Sequence, residues 1–181
     1  REDLYELSYS YYQAKNYTKS IDGFKQLSGK DDSLSQHAMY LLGDAYLKTG
    51  QKSNARNAFL FCSSNSSNPE QREIARYQYA KLSYELGYQD EALNSLSSFI
   101  ADYPASKYNT EAKELMIDVL ANTNNYKDAQ AMLETLKNPS ENSKRVYPRI
   151  LFGRATEMIN DGRLAEADGL LNQVLEDPYN R

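Results

Sequence analysis

The chain has 181 residues, 40% of them hydrophobic and 25% charged, which is enough for one domain or one continuous array with a hydrophobic core. No stretch approaches the roughly 18 consecutive apolar residues that a membrane-spanning helix needs. The net charge of −4 argues against a general nucleic-acid-binding protein. The single cysteine excludes an intramolecular disulfide and a cysteine-based metal cluster.

Apolar residues recur at helical spacing throughout the chain, and no segment alternates as a strand would, so the sequence predicts an all-α fold. In chain order, the predicted helices span residues 2–14, 17–29, 34–49, 52–63, 70–86, 89–101, 107–122, 126–137, 147–160 and 164–176. They form five pairs, and each pair is predicted to be a helix-turn-helix unit.

A small residue also recurs along the chain, with a large apolar residue four positions later. The pairs are Ser20/Phe24, Ala55/Phe59, Ala92/Leu96, Ala129/Leu133 and Ala167/Leu171. The small residues are 35, 37, 37 and 38 residues apart, a period typical of helical repeat arrays. Such units complete their cores only by stacking on their neighbours, so the pattern predicts a binding scaffold.

Turn-forming residues follow the same period. Gly50, Gly87 and Gly162 lie five residues before their alanines, and Asn124 takes that place in the fourth unit. Glycine and asparagine tolerate the left-handed backbone that closes a helix, so a tight turn is expected at each. Four prolines are expected to mark the stops between units, namely Pro69, Pro104, Pro139 and Pro178.

The units resemble the tetratricopeptide repeat. The second unit carries the pattern best, with Leu42-Gly43, Tyr46, Gly50, Ala55 and Phe59, whereas Ile117 and Ala155 stand at the glycine position of the fourth and fifth units. The resemblance implies a right-handed α-solenoid that acts as a non-enzymatic protein-interaction scaffold. We expect one array over residues 1–181, part of a longer protein, with repeats at 1–33, 34–68, 69–105, 106–140 and 141–181.

One loop carries a narrower resemblance. Residues 96–108, which include Phe99, Tyr103-Pro104, Ser106 and Tyr108, resemble the inter-repeat loop of tetratricopeptide proteins of the Gram-negative cell envelope. Those are proteins of the outer-membrane assembly lipoprotein and TolA-binding type. The resemblance implies a location in the periplasm or cell envelope rather than the cytoplasm, a role in envelope assembly, and membrane association through termini outside this sequence.

Catalytic and metal-binding patterns are nearly absent. His37 is the only histidine, and Cys62 falls where the repeat expects a small core residue, so a buried thiol is favoured over a reactive one. One histidine and one cysteine offer no zinc site, and no glycine-rich phosphate loop is present. Asn16 and Asn65 begin glycosylation sequons, a short pattern that also arises by chance. We therefore expect no enzymatic activity, cofactor or metal.

The resemblance implies that the first helix of each unit lines a concave groove. Positions not needed for packing would then face a peptide or protein partner, and they are Tyr5, Tyr9, Tyr12, His37, Tyr40, Asp44, Lys48, Tyr77, Lys81, Tyr84 and Glu85. In the fourth unit the corresponding positions hold acidic and polar residues, namely Glu114, Asp118 and Asn122. The alternative is that the tyrosines pack between adjacent first helices.

Three functions fit this pattern. Tyrosines next to charged residues suit the binding of a peptide or partner protein in the groove. The same rings also suit stacking on sugars, which would make the protein a glycan- or peptidoglycan-binding envelope component. A third hypothesis is a structural spacer or self-associating segment, because the ends of repeat arrays expose apolar surface unless they are capped.

Overall fold

The computed structural model describes residues 1–180, and every regular element in that range is helical. Ten α-helices follow one another, and a 3-10 turn at Lys25–Leu27 extends the second. The helices are α1 (Glu2–Gln13), α2 (Tyr17–Phe24), α3 (Ser33–Lys48), α4 (Lys52–Ser63), α5 (Pro69–Glu85), α6 (Gln89–Asp102), α7 (Asn109–Asn122), α8 (Tyr126–Glu134), α9 (Glu141–Asn160) and α10 (Leu164–Glu176). The predicted helix pairs and the all-α fold are confirmed.

One boundary prediction is wrong, and one proline marks the boundary between units in a different way from the one expected. Helix α9 begins at Glu141 rather than at residue 147, because Ser140 caps it by accepting a hydrogen bond of 3.2 Å from the Ser143 amide. Pro69 does not stop a helix but is the first residue of α5. Proline suits that position because its missing N–H would have no partner in the first helical turn.

The turns inside the helix pairs share one backbone feature. The expected left-handed backbone is present at Gly50, Gly87, Gly162 and Asn124, with φ between 60° and 83°. Lys15 has the same conformation, with φ of 61°, and supplies the turn of the first pair. These residues lie 35, 37, 37 and 38 positions apart, the spacing of the small residues. They therefore define equivalent positions in the five pairs.

The chain divides into two compact units, residues 1–95 and 96–181, with the boundary inside α6. In the first unit α1 packs on α2, α3 on α4, and α2 and α4 on the first helix of the next pair. The first helices α1, α3 and α5 are also neighbours. The single array that the sequence predicts stays a prediction.

Close helix approach in the first unit depends on a residue without a side chain. A Cβ atom on Gly43 would lie 2.6–2.8 Å from atoms of the Phe59 ring, so only glycine lets α3 and α4 come this close. Phe59 is buried, as are Phe24 and the small residues Ala55 and Ala92. The small-then-large pairs of the sequence are therefore core positions here.

A buried side chain fixes the loop between α4 and α5. Gln36 of α3 donates hydrogen bonds from Nε2 to the carbonyls of Asn65 and Asn68 at 2.6 and 3.2 Å, and to that of Cys62 at 3.3 Å. Its Oε1 accepts one from the Asn68 amide at 2.6 Å. The Asn65 carbonyl and the Asn68 amide have no other backbone partner, whereas the Cys62 and Asn68 carbonyls also accept from the amides of Asn65 and Arg72. Gln36 therefore supplies the two hydrogen bonds that the loop backbone lacks.

The second unit uses its polar residues in a similar way. Asn109 of α7 donates from Nδ2 to the carbonyls of Ile100 and Tyr103 at 3.2 and 3.0 Å and so holds the preceding loop. Helices α7 and α8, α8 and α9, and α9 and α10 pack in sequence. At Gly153 a Cβ atom would lie 2.6 Å from the Tyr126 ring, so the close approach here joins α9 to α8.

Candidate protein-binding surface

Three tyrosines lie in a row on α1. Tyr5, Tyr9 and Tyr12 are four and three residues apart, which places them on one helical face. The ring centroids of Tyr5 and Tyr9 are 6.0 Å apart with planes inclined by 9°, and those of Tyr9 and Tyr12 are 6.5 Å apart with planes inclined by 16°. The three rings are therefore nearly parallel along the helix.

The row continues onto α3. The ring of Tyr5 lies 6.0 Å from that of His37, and His37 stacks on Tyr40 at 6.2 Å with planes inclined by 15°. We call the five rings of Tyr5, Tyr9, Tyr12, His37 and Tyr40 the aromatic surface. Since α1 and α3 are neighbouring first helices, tertiary packing joins two short rows into one surface.

These rings have two roles at once. Tyr5, Tyr9, Tyr12 and Tyr40 pack against the buried core of the first unit, yet all of them remain partly exposed. A tyrosine with an apolar body in the core and an accessible edge is the arrangement that suits an interface. The packing alternative and the binding hypothesis therefore both describe part of what these side chains do.

An ion pair between Asp44 and Lys48 bounds the aromatic surface at the C-terminal end of α3. Asp44 accepts a hydrogen bond from the Tyr12 hydroxyl and forms an ion pair with Lys48, one helical turn away. The Lys48 ammonium also lies 5.4 and 5.7 Å from the ring centroids of Tyr12 and Tyr17, within cation–π range. The hydrogen bond with Asp44 raises the pKa of Lys48 to about 12, so this lysine is charged at neutral pH.

His37 is held in its neutral form beside Tyr5 and Tyr40. Burial lowers its pKa, and a hydrogen bond with Gln71 of α5 opposes that shift. Gln71 Nε2 lies 2.7 Å from His37 Nδ1, and a neutral ring that accepts there carries its proton on Nε2. Sequence reasoning missed Gln71, although it lies one turn before Ile74, the α5 equivalent of His37.

Four predicted groove residues lie on α5, outside the five rings that define the aromatic surface. Tyr77 is only 2% exposed, so the prediction that it faces a ligand is wrong. Glu85 forms an ion pair with Lys52 of α4 at 2.9 Å. Lys81 and Tyr84 are partly exposed on the same helix.

In the second unit, predicted groove positions hold helices and loops together. Glu114 accepts a hydrogen bond of 3.0 Å from the Ser140 amide, and Asn122 accepts one of 3.2 Å from Arg149. Arg149 also donates to the Ala121 carbonyl at 3.0 Å at the end of α7. Asp118 is partly exposed on the same helix. No aromatic row replaces them among the described residues of α7.

The remaining candidate groups have structural positions. Cys62 is fully buried, and burial raises its pKa to about 12, so the prediction of a buried thiol is confirmed. Asn16 caps α2, and Asn65 is buried and donates to the Asp32 carbonyl at 2.8 Å. Within residues 1–180 no cluster of His, Cys, Asp and Glu is arranged to hold a metal ion.

The loop that resembles envelope proteins also has a packing role. The rings of Phe99 and Tyr103 are 5.1 Å apart, Phe99 is fully buried, and Asn109 holds the Tyr103 carbonyl. Helix-to-loop packing is enough to account for these residue types. The envelope location stays a prediction. Each helix in the described range is too short or too polar to cross a bilayer.

Within residues 1–180, ten helices in hairpin pairs with small-residue seams and left-handed turns define a helical-repeat protein of the interaction-scaffold class. The family model of the tetratricopeptide repeat-like domain matches residues 4–147. The chain therefore belongs to the tetratricopeptide repeat-like family. No curated protein sequence matches it significantly.

Solved structures with the same fold have low sequence identity to this chain. MamA of AMB-1 is 15% identical with a TM-score of 0.59, over 96% of this chain and 88% of MamA. YrrB, described as a tetratricopeptide protein with an unusual peptide-binding site, is 12% identical with a TM-score of 0.56, over 97% and 84%. A putative kinesin light chain from Podosopora anserina is 16% identical with a TM-score of 0.54, over 96% and 92%. At these identities the likeness shows the fold alone.

Proposed function

We propose that the protein is an interaction scaffold that binds a peptide segment of a partner protein across the aromatic surface of its first unit. The observation that carries the proposal is the row of five partly exposed rings, each 6.0 to 6.5 Å from the next, on two adjacent helices. Side chains on one face of an extended peptide repeat every 6.6–6.8 Å or so, which is close to this ring spacing.

The ends of the surface favour a directional ligand. Lys48 and Asp44 lie at one end, and Lys48 remains more exposed than Asp44. At the other end of the surface lie neutral His37 and its hydrogen-bond partner Gln71, which are polar but uncharged. A peptide with apolar or aromatic side chains over the rings and an acidic residue towards Lys48 fits this order. Aromatic anchors supply most of the affinity in such interfaces.

The comparison with YrrB supports the choice of a peptide as ligand. That protein has the same fold and is described as having a peptide-binding site. The proposal for this chain does not depend on the location of that site. It depends on the partial exposure of Tyr9 and Tyr40 in this chain.

The test is a peptide selection followed by substitution. A random library of 12-residue peptides would be selected on the intact chain, and the affinity of selected peptides measured by fluorescence polarisation. Tyr9→Ala and Tyr40→Ala are expected to weaken binding at least tenfold, since truncating an aromatic anchor typically removes more than about 1 kcal/mol. Tyr12→Phe keeps the ring and should change affinity less.

The matched control is Tyr11→Ala. Tyr11 is on the same helix, is also partly exposed, and lies under Lys19 of α2 rather than in the aromatic surface. Its truncation should leave peptide affinity within about twofold, since it removes no anchor. The proposal is rejected if Tyr9→Ala and Tyr11→Ala behave alike at unchanged helical circular dichroism.

Sugar stacking is the other outcome that the experiment must separate. Titration with soluble cell-wall oligosaccharides, followed by intrinsic tyrosine fluorescence, uses the same variants. Saturable binding of the glycan, lost in Tyr9→Ala and not competed by the selected peptides, would favour a glycan-binding component instead.

A further inference from the structure

A separate pocket lies in the second unit, where the end of α8 and the start of α9 meet the segment that follows α10. Its volume is about 350 Å³, at the lower end of the range of roughly 300–1,000 Å³ for small-ligand sites. Its walls are apolar and aromatic, formed by Leu133, Leu136, Pro139, Tyr147, Pro178 and Tyr179. We call it the α8–α10 pocket. A pocket of this volume has room for one large side chain rather than for a helix.

Two carboxylates line this pocket. Glu134 accepts hydrogen bonds at Oε1 from the Tyr147 hydroxyl at 2.9 Å and from Gln130 at 3.0 Å. Asp177 accepts one at Oδ1 from the Tyr179 amide at 2.8 Å. Burial first, and then the nearby Glu134 and Asp177, raise the pKa of Tyr147 to about 12. Both carboxylates therefore act on the same tyrosine.

Each carboxylate uses one oxygen in these hydrogen bonds, and Glu134 is exposed while Asp177 is partly exposed. Oε2 of Glu134 and Oδ2 of Asp177 have no hydrogen-bond partner, and neither residue forms an ion pair, within the part of the chain that the structure describes. Lys144 also lines the pocket, but its ammonium pairs with Glu141 at 3.4 Å. Glu141 also accepts from the Tyr179 hydroxyl. Arg145 acts electrostatically on Glu141 as well.

The first unit contains an arginine side chain that contacts two tyrosine rings. The Arg56 guanidinium lies 4.7 and 4.4 Å from the ring centroids of Tyr79 and Tyr88. It donates to the Tyr79 hydroxyl at 3.0 Å, and that hydroxyl donates to Glu91 at 3.0 Å. The Tyr147 and Glu134 pair has the same tyrosine-to-carboxylate hydrogen bond, at 2.9 Å.

We propose that the α8–α10 pocket binds an arginine side chain of a partner peptide. The guanidinium lies against Tyr147 and meets the free oxygens of Glu134 and Asp177, while the aliphatic stem packs on Leu133 and Leu136. Arginine fits better than lysine because its planar group stacks on an aromatic face and still donates to two carboxylates. The pocket is remote in sequence from the aromatic surface, and either site can fail its test alone.

The experiment titrates N-acetyl-arginine amide into the intact chain and follows the tyrosine ring resonances by NMR. We expect saturable shifts at Tyr147 and Tyr179. N-acetyl-citrulline amide, which has the same shape without the charge, should bind at least tenfold more weakly. N-acetyl-lysine amide should also bind several-fold more weakly, because an ammonium does not stack in the same way.

Variants then locate the site. The double variant Glu134→Gln with Asp177→Asn should lower affinity at least tenfold, and Tyr147→Phe, which keeps the ring, should stay within about threefold of the original. The control Asp168→Asn removes an exposed carboxylate of α10 that does not line the pocket, and it should bind arginine amide unchanged. Equal binding of citrulline or lysine amide, or a double variant that is folded and unaffected, overturns the proposal.

Discussion

The two units use equivalent backbone positions for different purposes. Counted from the left-handed turns, Tyr40 of α3 corresponds to Glu114 of α7, and Lys48 corresponds to Asn122. In the first unit these residues lie on or beside an exposed aromatic surface. In the second unit they accept hydrogen bonds from Ser140 and Arg149. The repeat backbone therefore provides a position, and the side chain decides whether that position belongs to a partly exposed aromatic surface or holds helices and loops together.

The units also differ in where their helices approach most closely. Gly43 admits the Phe59 ring within one hairpin, whereas Gly153 admits the Tyr126 ring from the preceding hairpin. Phe59 is buried, but Tyr126 is partly exposed and hydrogen-bonded to Asn124 at 2.9 Å. The contact in the first unit is therefore less able to relax than the one in the second.

The largest expected effect compares the two loop-holding amides. Gln36→Leu should lower the free energy of unfolding by about 3 kcal/mol, because it leaves the Asn65 carbonyl and the Asn68 amide without partners. Asn109→Leu leaves only the Ile100 carbonyl without a partner, since the Tyr103 carbonyl also accepts from the Ser106 amide, and it should cost about 1–2 kcal/mol. Urea unfolding measures both. Equal losses would mean that the two loops are held equally strongly.

Next in size is the pair of close approaches. Gly43→Ala should destabilise by about 2 kcal/mol, since the buried Phe59 ring must shift, and Gly153→Ala by about 1 kcal/mol or less, since Tyr126 can move. Gly169 of α10 has open space where a Cβ would lie, so Gly169→Ala should stabilise by about 0.5–1 kcal/mol. Thermal unfolding of the three variants gives the order. A stabilising Gly43→Ala would contradict the packing described here.

The turns provide a smaller test of equivalence. Lys15 adopts a left-handed conformation that costs an ordinary residue about 1–2 kcal/mol, so Lys15→Gly should stabilise by about 0.5–1 kcal/mol after the entropy of glycine is subtracted. Asn124→Gly should change stability less, because asparagine tolerates this backbone. Chemical denaturation of both variants checks the difference, and a destabilised Lys15→Gly would show that the lysine side chain matters more than its backbone.

The smallest effect concerns pH. Since burial lowers the pKa of His37 in the folded state, the unfolded chain binds more protons between that pKa and about 6.5. Stability should therefore be fully present above about pH 6.5 and fall as the pH drops below it. His37→Gln should remove this dependence, because the chain has no other histidine. Denaturation midpoints at pH 5.5 and 7.5 measure it, and an unchanged slope in the variant would assign the dependence to another group.

The sequence by itself determined the elements and their order. The period of the small residues and of Gly50, Gly87, Asn124 and Gly162 predicted five helix pairs, because helix formation and turn geometry depend on residues close in the chain. It also placed Tyr5, Tyr9 and Tyr12 on one face. The left-handed backbone at Lys15 was not predicted, because lysine, unlike glycine or asparagine, does not indicate that conformation.

Only the tertiary structure decided which of these side chains remain accessible. Tyr40 and Tyr77 stand at the same position of successive repeats, yet Tyr40 is partly exposed and Tyr77 is buried. Gln71 contacts His37, and Asp177 acts electrostatically on Tyr147, from elements far apart in the chain. Burial and these contacts depend on which helices stack on which, and residue spacing along one chain does not contain that information.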